Sequence, residues 1–397
     1  MPKNLKISLL LLFIFMAIWY TVFMKICFLG GTFAPAHNGH ISLAKSAAAQ
    51  LKPDKFIIMP CGIPPHKHEE AQAKDRMEMA KAAFADIPAV EISDYEIKRE
   101  GKSFSYLTMQ HLKQTYPDAE LYFVMGADSL RDFDRWVNPQ AIADLATLAV
   151  AVREDCDVIS DVKKVKREFG ARVVLLDAQE IDVSSTEIRV NCEFGLDNSA
   201  LIPDSVAQYI KRRGLFSKYA DAAKKLKGLQ EQKRYLHTAS VVKAGLDFAR
   251  AAAVDEDKAF VACMLHDCGK NIPQERWQYY GFDNAENLLP PILHCGLGVL
   301  VAQKEFGVTD QDVLNAIRYH TTGRPDMSEL EKLVFVADKA EKNRKYDVCA
   351  YYKAGLTNLD KAFKMVLKDM YDIAVKKYGA DKVDGLTVAT MDFYHLL

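Results

Sequence analysis

A chain of 397 residues exceeds the roughly 100–200 residues of one ordinary domain, so two or three units are expected. Its 52 Lys and Arg against 53 Asp and Glu give a net charge of −1, which excludes the basic footprint of a nucleic-acid binder. The 8 cysteines are scattered without a Cys-x-x-Cys pair, which argues against a disulfide scaffold; they read as small buried hydrophobes in a reducing, cytoplasmic setting.

Ile7 to Phe23 is a nearly uncharged apolar run behind Lys3 and Lys6, about the minimum for a membrane span. Ile18-Trp19-Tyr20-Thr21-Val22-Phe23 offers no small-residue cleavage site. Two readings of residues 1–23 follow: an uncleaved anchor that would give membrane contact, or a misassigned start upstream of Met24. Because Met24-Lys25-Ile26 opens the first strand, an anchor would enter a central strand without a linker, which favours a start at Met24.

The apolar run Lys25 to Leu29, the stretch Gly30-Gly31-Thr32-Phe33-Ala34-Pro35-Ala36-His37-Asn38-Gly39-His40 and the alanine-rich Ile41 to Leu51 read as strand, glycine turn and helix. Such a turn gathers backbone N–H groups and a helix N-terminus where phosphate is favoured. His37 and His40, three apart, can share one face and donate ring N–H groups to phosphate oxygens. A second strand-to-helix step follows Arg172 to Leu176, where Ser184-Ser185-Thr186-Glu187 is a helix-start signature and Arg189 carries a guanidinium fork one turn inside.

Up to about residue 216, short β-branched strands alternate with helices, as in a Rossmann-like parallel α/β sheet. Residues 217–227 suit a connecting helix or linker, and 228–397 show helical periodicity almost throughout, an all-α unit closed by a packing helix over Ala362 to Lys377. This second unit carries His237, His266-Asp267, His294, His320 and Asp338, an imidazole and carboxylate set that suits iron or manganese better than a thiolate-loving site.

The two phosphate-binding segments of the first half resemble the H-x-G-H nucleotidyltransferase superfamily. Met59-Pro60-Cys61-Gly62-Ile63-Pro64-Pro65-His66-Lys67 and Gly126-Ala127-Asp128-Ser129-Leu130, with Phe133 and Trp136, look like bacterial nicotinate-nucleotide adenylyltransferases over residues 24–216. The resemblance implies adenylyl transfer from ATP, with Mg2+, to nicotinate mononucleotide, giving deamido-NAD and pyrophosphate. By it, His37 and His40 stabilise the transferring group, and Gly30, Gly31, Thr32 and Phe33 form the nucleotide turn. Ser184, Ser185, Thr186 and Arg189 hold the triphosphate, Asp128 bonds the ribose, and Lys67, Thr108 and Gly126 belong to the substrate site. Trp136 stacks on the pyridine ring. Nicotinate and nicotinamide both stay open, with the discriminating backbone donors expected near Ser103 to Thr108 or Trp136. The family has Asp where this chain has Ala34.

Leu265-His266-Asp267-Cys268-Gly269-Lys270 resembles the signature of HD-domain phosphohydrolases. Together with Arg234-Tyr235-Leu236-His237, Tyr319-His320-Thr321-Thr322-Gly323 and Ala337-Asp338-Lys339-Ala340-Glu341, it looks like the bacterial subfamily that splits diadenosine tetraphosphate into two ADP, over residues 228–390. The resemblance implies one divalent ion, iron before manganese and with zinc open, on His237, His266, Asp267 and Asp338. A second is implied on the bridging Asp267 with His294 and His320. Lys270, one helical turn beyond His266, could neutralise an incoming or leaving phosphate; Arg324 could do likewise or be an ordinary surface arginine. Two alternatives stay open: the same folds acting on another acceptor and another HD substrate, or an HD half that senses nucleotide and regulates the first half. The aromatic pair Phe393-Tyr394 leaves a homo-oligomer open.

Overall fold

In the computed structural model, residues 24–64, 71–152, 158–178, 181–283, 288–344 and 346–397 are described. The apolar run 7–23 and Lys67 lie outside these residues. No described helix is long and apolar enough to cross a membrane.

In the first half, six short runs rich in Ile, Leu, Val and Phe pair as parallel strands: β1 (Lys25–Gly31), β2 (Lys55–Pro60), β3 (Val90–Ile92), β4 (Glu120–Gly126), β5 (Ala146–Val152) and β6 (Val173–Asp177). Runs such as ATLAVAV are apolar at every position but Thr147 because helices cover both faces of a parallel sheet. The order is β3-β2-β1-β4-β5-β6, with β1 set between β2 and β4. Connections leave in opposite directions on either side of β1 and β4. Their carboxyl ends therefore open a crevice, the place where parallel sheets of this order take ligands. The expected Rossmann-like α/β class is thus the observed one.

The crevice floor depends on a residue that composition alone did not flag. Arg76, on the helix Ala73–Phe84, is fully buried. Its guanidinium donates to the carbonyls of Gly62 at 2.8 Å, Ala71 at 3.2 Å and Thr32 at 3.4 Å, and also to Cys61 O. One cation thereby fixes the turns after β1 and β2 together. Gly62 lets the Glu96 backbone pack against the second turn, since a Cβ there would stand 2.1 Å from the Glu96 carbonyl oxygen. Arg76→Met keeps much of the packed volume but strands these acceptors, each charge-assisted bond being worth about 1.5–3 kcal/mol. A loss of roughly 3 kcal/mol is expected, read as a fall of about 6–12 °C in the melting temperature of a unit this size. An unchanged melting curve would show that the turns hold themselves.

In the second half the described residues form helices, as expected of an all-α unit, including Gln232–Ala252, Glu256–Leu265, Leu293–Phe306, Gln311–Tyr319, Glu329–Ala340 and Leu359–Tyr378. Their core is built on Val241, Phe248, Leu265, Ile317, Phe335 and Phe363. The closing helix buries Ala362, Phe363, Val366 and Leu367 on one stripe. Residues 217–227 contain a helix, Ala220–Lys227, that buries Ala223 and Leu226 in this same core.

The chain divides into two compact units: residues up to Ser185 with Asn198–Leu215, and Thr186–Asp197 with Phe216–Leu397. The motif helix Ser185–Phe194 falls almost wholly in the second, because Val190 and Phe194 bury their side chains in the helical core.

Candidate functional sites

The crevice of the first unit has a volume of about 730 Å3. Gly30, Gly31 and Thr32 line it from the end of β1, His37 and His40 from the turn and helix beyond, and Gly126, Asp128 and Trp136 from the end of β4 onward. His37 caps the helix Asn38–Leu51 and His40 lies in its first turn, so the two rings stack with centroids 3.6 Å apart. The His37 backbone N–H donates to His40 Nδ1 at 3.3 Å. An accepting Nδ1 requires the proton on Nε2, which makes His40 a hydrogen-bond donor at that atom.

Phe33 is buried beneath the turn, edge-on to His40 at 5.1 Å and to Phe84 at 5.4 Å. Trp136 is half-buried, packed on Phe123 and Phe133, and still lines the crevice. Thr108 stands one layer back. Its hydroxyl is committed to Glu96 Oε1 at 2.5 Å, while Glu96, Ser103, Phe104 and Ser105 line the wall. Burial raises the Glu96 carboxyl above its ordinary range, against the opposing hydrogen bonds of Thr108 and Ser103. Ala34 is buried in the turn.

Ser185 Oγ donates to the Pro35 carbonyl at 3.0 Å within the first unit. Ser184 precedes the helix. Thr186 and Arg189 belong to the second unit, where Thr186 Oγ1 accepts from Arg250 at 2.6 Å and from Arg189 at 3.5 Å. Arg250, itself tied to Glu256 at 2.6 Å, was missed because no spacing rule links it to the Ser184–Arg189 motif.

In the helical unit, five elements deliver the expected ligand types to one place. His237 comes from the helix Gln232–Ala252, His266 and Asp267 from just past Leu265, His294 from the first turn of Leu293–Phe306, His320 from the end of Gln311–Tyr319 and Asp338 from Glu329–Ala340. Their approach requires glycine at 269, where a Cβ would meet His294 O at 2.6 Å and Gly298 N at 2.7 Å.

Asp267 is the centre. Its Oδ1 lies 3.2 Å from His294 Nε2 and 3.5 Å from His320 Nε2, and its Oδ2 lies 3.7 Å from His266 Nε2. Asp338 Oδ1 is 3.1 Å from His237 Nε2 and 3.8 Å from His266 Nε2. His266 Nδ1 and His320 Nδ1 sit 2.7 and 2.8 Å from the carbonyls of Cys263 and Ile317. Carbonyls only accept, so both Nδ1 atoms carry a proton, and both rings turn Nε2 toward the carboxylates. Glu341 orients His237 in the same manner from 3.0 Å, the outer support that metal-binding histidines usually have.

Burial pushes His266 down to about 3, which keeps it a neutral donor. Burial would raise Asp267, but His266, His294 and His320 hold its carboxyl well below the usual range; Asp338 is held low by Lys339, His237 and Arg344. This donor set fits a divalent ion, and the fit has an independent mark: among the described residues, His266 Nε2 is buried with no hydrogen-bond partner.

Lys270 Nζ reaches His294 at 3.3 Å. Arg234 pairs with Asp267, and Arg344 and Lys339 with Asp338, cations that the motif order did not single out as partners. The Arg324 guanidinium grips buried Glu331 through two bonds of 2.7 and 2.8 Å and so acts as a strut of the capped helix Glu329–Ala340. Burial pushes the Cys263 and Cys268 thiols up, as expected of small hydrophobes. Cys295 departs from that expectation by facing the imidazoles of His294 and His320.

A parallel sheet that presents paired histidines in its switch-point crevice, on one chain with a helical unit converging on a histidine-flanked aspartate pair, defines a nucleotidyltransferase joined to an HD domain. The cytidylyltransferase-like family matches residues 28–191 and the HD domain matches residues 234–343. A probable nicotinate-nucleotide adenylyltransferase of Clostridium tetani is 41% identical over 192 residues, 47% of this chain and 96% of that protein. A probable nicotinate-nucleotide adenylyltransferase/Ap4A hydrolase of Mycoplasma genitalium is 29% identical over 355 residues, 87% of this chain and 97% of that protein. Among solved structures, a predicted HD superfamily hydrolase involved in NAD metabolism from Clostridium acetobutylicum is 30% identical, covering 45% of this chain and 97% of its own, with a TM-score of 0.41. The chain belongs to the nicotinate-nucleotide adenylyltransferase family, with an HD domain as its second part.

Proposed function

We propose that the chain is bifunctional: the first unit transfers the adenylyl group of ATP to nicotinate mononucleotide, and the second hydrolyses diadenosine tetraphosphate symmetrically to two ADP with divalent metal. In the first reaction a phosphate oxygen of the mononucleotide attacks the α-phosphorus of ATP, the bond to the β-phosphate breaks, and pyrophosphate leaves with Mg2+. Such displacement demands positioning and charge neutralisation rather than a covalent nucleophile. The observation that carries it is the stacked His37 and His40 pair lining the crevice, from which Nε2 of His40 would donate to a phosphate oxygen. Trp136, which lines the same crevice, would stack its aromatic face on the pyridine ring.

In the second unit His237, His266, Asp267 and Asp338 would hold one ion, iron or manganese, and Asp267, His294 and His320 another. Paired divalent ions supply a hydroxide at neutral pH and offset charge on the phosphates. The chain's own residues do the rest: Asp267 draws both ligand groups together, Glu341 fixes the His237 ring, and Lys270 offers its ammonium to the phosphate chain. The carrying observation is the position of the Asp267 carboxylate between His266 on one side and His294 and His320 on the other.

Product analysis tests the hydrolase. With manganese or iron and diadenosine tetraphosphate alone, two ADP are expected as sole product, and ATP with AMP would refute symmetrical cleavage. Parallel assays with nicotinate and nicotinamide mononucleotides test the acceptor, and equal turnover would overturn the preference.

A further inference from the structure

We infer that Cys295 is a metal ligand: its thiolate, with His294 Nε2, His320 Nε2 and Asp267 Oδ1, makes the second metal position a four-ligand site of mixed sulfur, nitrogen and oxygen donors. This rests on the metal-dependent reading of the HD unit and adds a ligand that neither the sequence motifs nor the six-residue His and Asp set contains.

Metal–nitrogen bonds of about 2.05 Å at a tetrahedral angle separate two ligand nitrogens by roughly 3.3 Å, and a metal–sulfur bond of about 2.3 Å brings the nitrogen–sulfur edge to roughly 3.6 Å. His294 Nε2 and His320 Nε2 are 3.2 Å apart. Asp267 Oδ1 stands 3.2 Å from the first and 3.5 Å from the second. Cys295 Sγ lies 3.6 Å from His294 Nε2 and 3.8 Å from the His320 ring at Nδ1. Three donors thus form a face of the right size, and the sulfur sits at the right reach from one corner.

The surroundings suit a coordinating sulfur. Cys295 is 2% exposed, and a purely structural cysteine in such a place packs against hydrocarbon. Here Sγ meets two imidazoles and the Thr321 hydroxyl at 3.4 Å. As a thiol it donates to Thr321; as a thiolate it can accept from the same hydroxyl, so the outer partner is in place for both states. Metal binding exchanges the S–H bond for a metal–sulfur bond and releases the proton to solvent.

A thiolate changes which ion the position prefers. Sulfur ligands favour zinc or ferrous iron over manganese and magnesium. A fourth protein donor also gives the second position the ligand count of a closed site, while the first position keeps only nitrogen and oxygen donors.

Cobalt(II) titration of the metal-free full chain tests both layers. Two cobalt ions per chain and a near-ultraviolet sulfur-to-cobalt charge-transfer band are expected. Cys295→Ala should abolish the band and weaken the second ion at least about tenfold, a loss on the scale seen when metal-site partners are removed. Cys295→Ser should likewise show no band. Cys268→Ala is the control, since Cys268 Sγ is engaged with the Gly298 carbonyl at 3.3 Å, and it should keep the band. Two bound cobalt ions without the band, or a band and affinity unchanged in Cys295→Ala, overturn the ligand role and leave the metal reading standing. No cobalt bound at all overturns both.

Discussion

Asp267→Asn is expected to lower diadenosine tetraphosphate hydrolysis by at least about 10^3-fold, equivalent to about 4 kcal/mol of activation free energy, while adenylyl transfer continues. The substitution keeps the shape of the side chain and removes one negative charge. That charge is what His266, His294 and His320 stabilise, since together they hold the carboxyl well below its usual range despite burial. An amide oxygen in its place is neutral, and the amide nitrogen is a donor that no imidazole lone pair or cation can use to hold metal. Arg234 also loses its carboxylate partner. The measurement is paired: ADP release in the presence of manganese or iron, and pyrophosphate release from ATP with nicotinate mononucleotide. Loss of both activities, with an unchanged melting curve, would mean that the two reactions share Asp267 and would sink the assignment of separate sites.

The strand-turn-helix start was legible because apolar runs, a glycine pair and a helical alanine segment all state the same local structure. The same holds for the helical second half, where periodicity persists and the His and Asp residues arrive in a recognisable order. What the sequence withheld are partnerships made by distant segments. Arg76 looks like any helical arginine until the carbonyls of Thr32, Cys61 and Gly62 converge on it. Thr108 carries a hydroxyl that a substrate could use, yet the buried carboxylate of Glu96, on a separate short helix, claims it. At Arg324 the sequence leaves a phosphate contact and an ordinary surface position both open, and the buried carboxylate of Glu331 that it pairs with becomes visible only in the fold. Cys295 was grouped with the buried hydrophobes because burial is legible from its apolar neighbours in sequence, while the imidazoles it faces depend on how separate helices meet. The motif helix shows the same limit at a larger scale: Ser184 to Arg189 signal a phosphate-binding start, but Val190 and Phe194 decide which core the helix joins.

His40→Ala is expected to reduce kcat for adenylyl transfer by about 10^2–10^3-fold with a small change in the KM for ATP, the signature of losing one donor aimed at charge that grows in the transition state. The tautomer supports this reading. Because the His37 backbone N–H occupies Nδ1 of His40 at 3.3 Å, the proton of the neutral ring resides on Nε2, the atom that would donate to phosphate. Loss of the ring also removes the stack on His37 and one bond at the helix N-terminus, a local cost of about 1 kcal/mol that a melting curve would register separately. His40→Gln can restore an N–H donor near the same position without the stack, so partial recovery of kcat would identify hydrogen-bond donation as the lost contribution. Equal deficits in Ala and Gln variants would instead point to the stacked pair as a rigid unit. Hydrolysis of diadenosine tetraphosphate should stay at the wild-type rate in both variants, and a parallel fall there would show that the substitution acts on folding rather than on transfer.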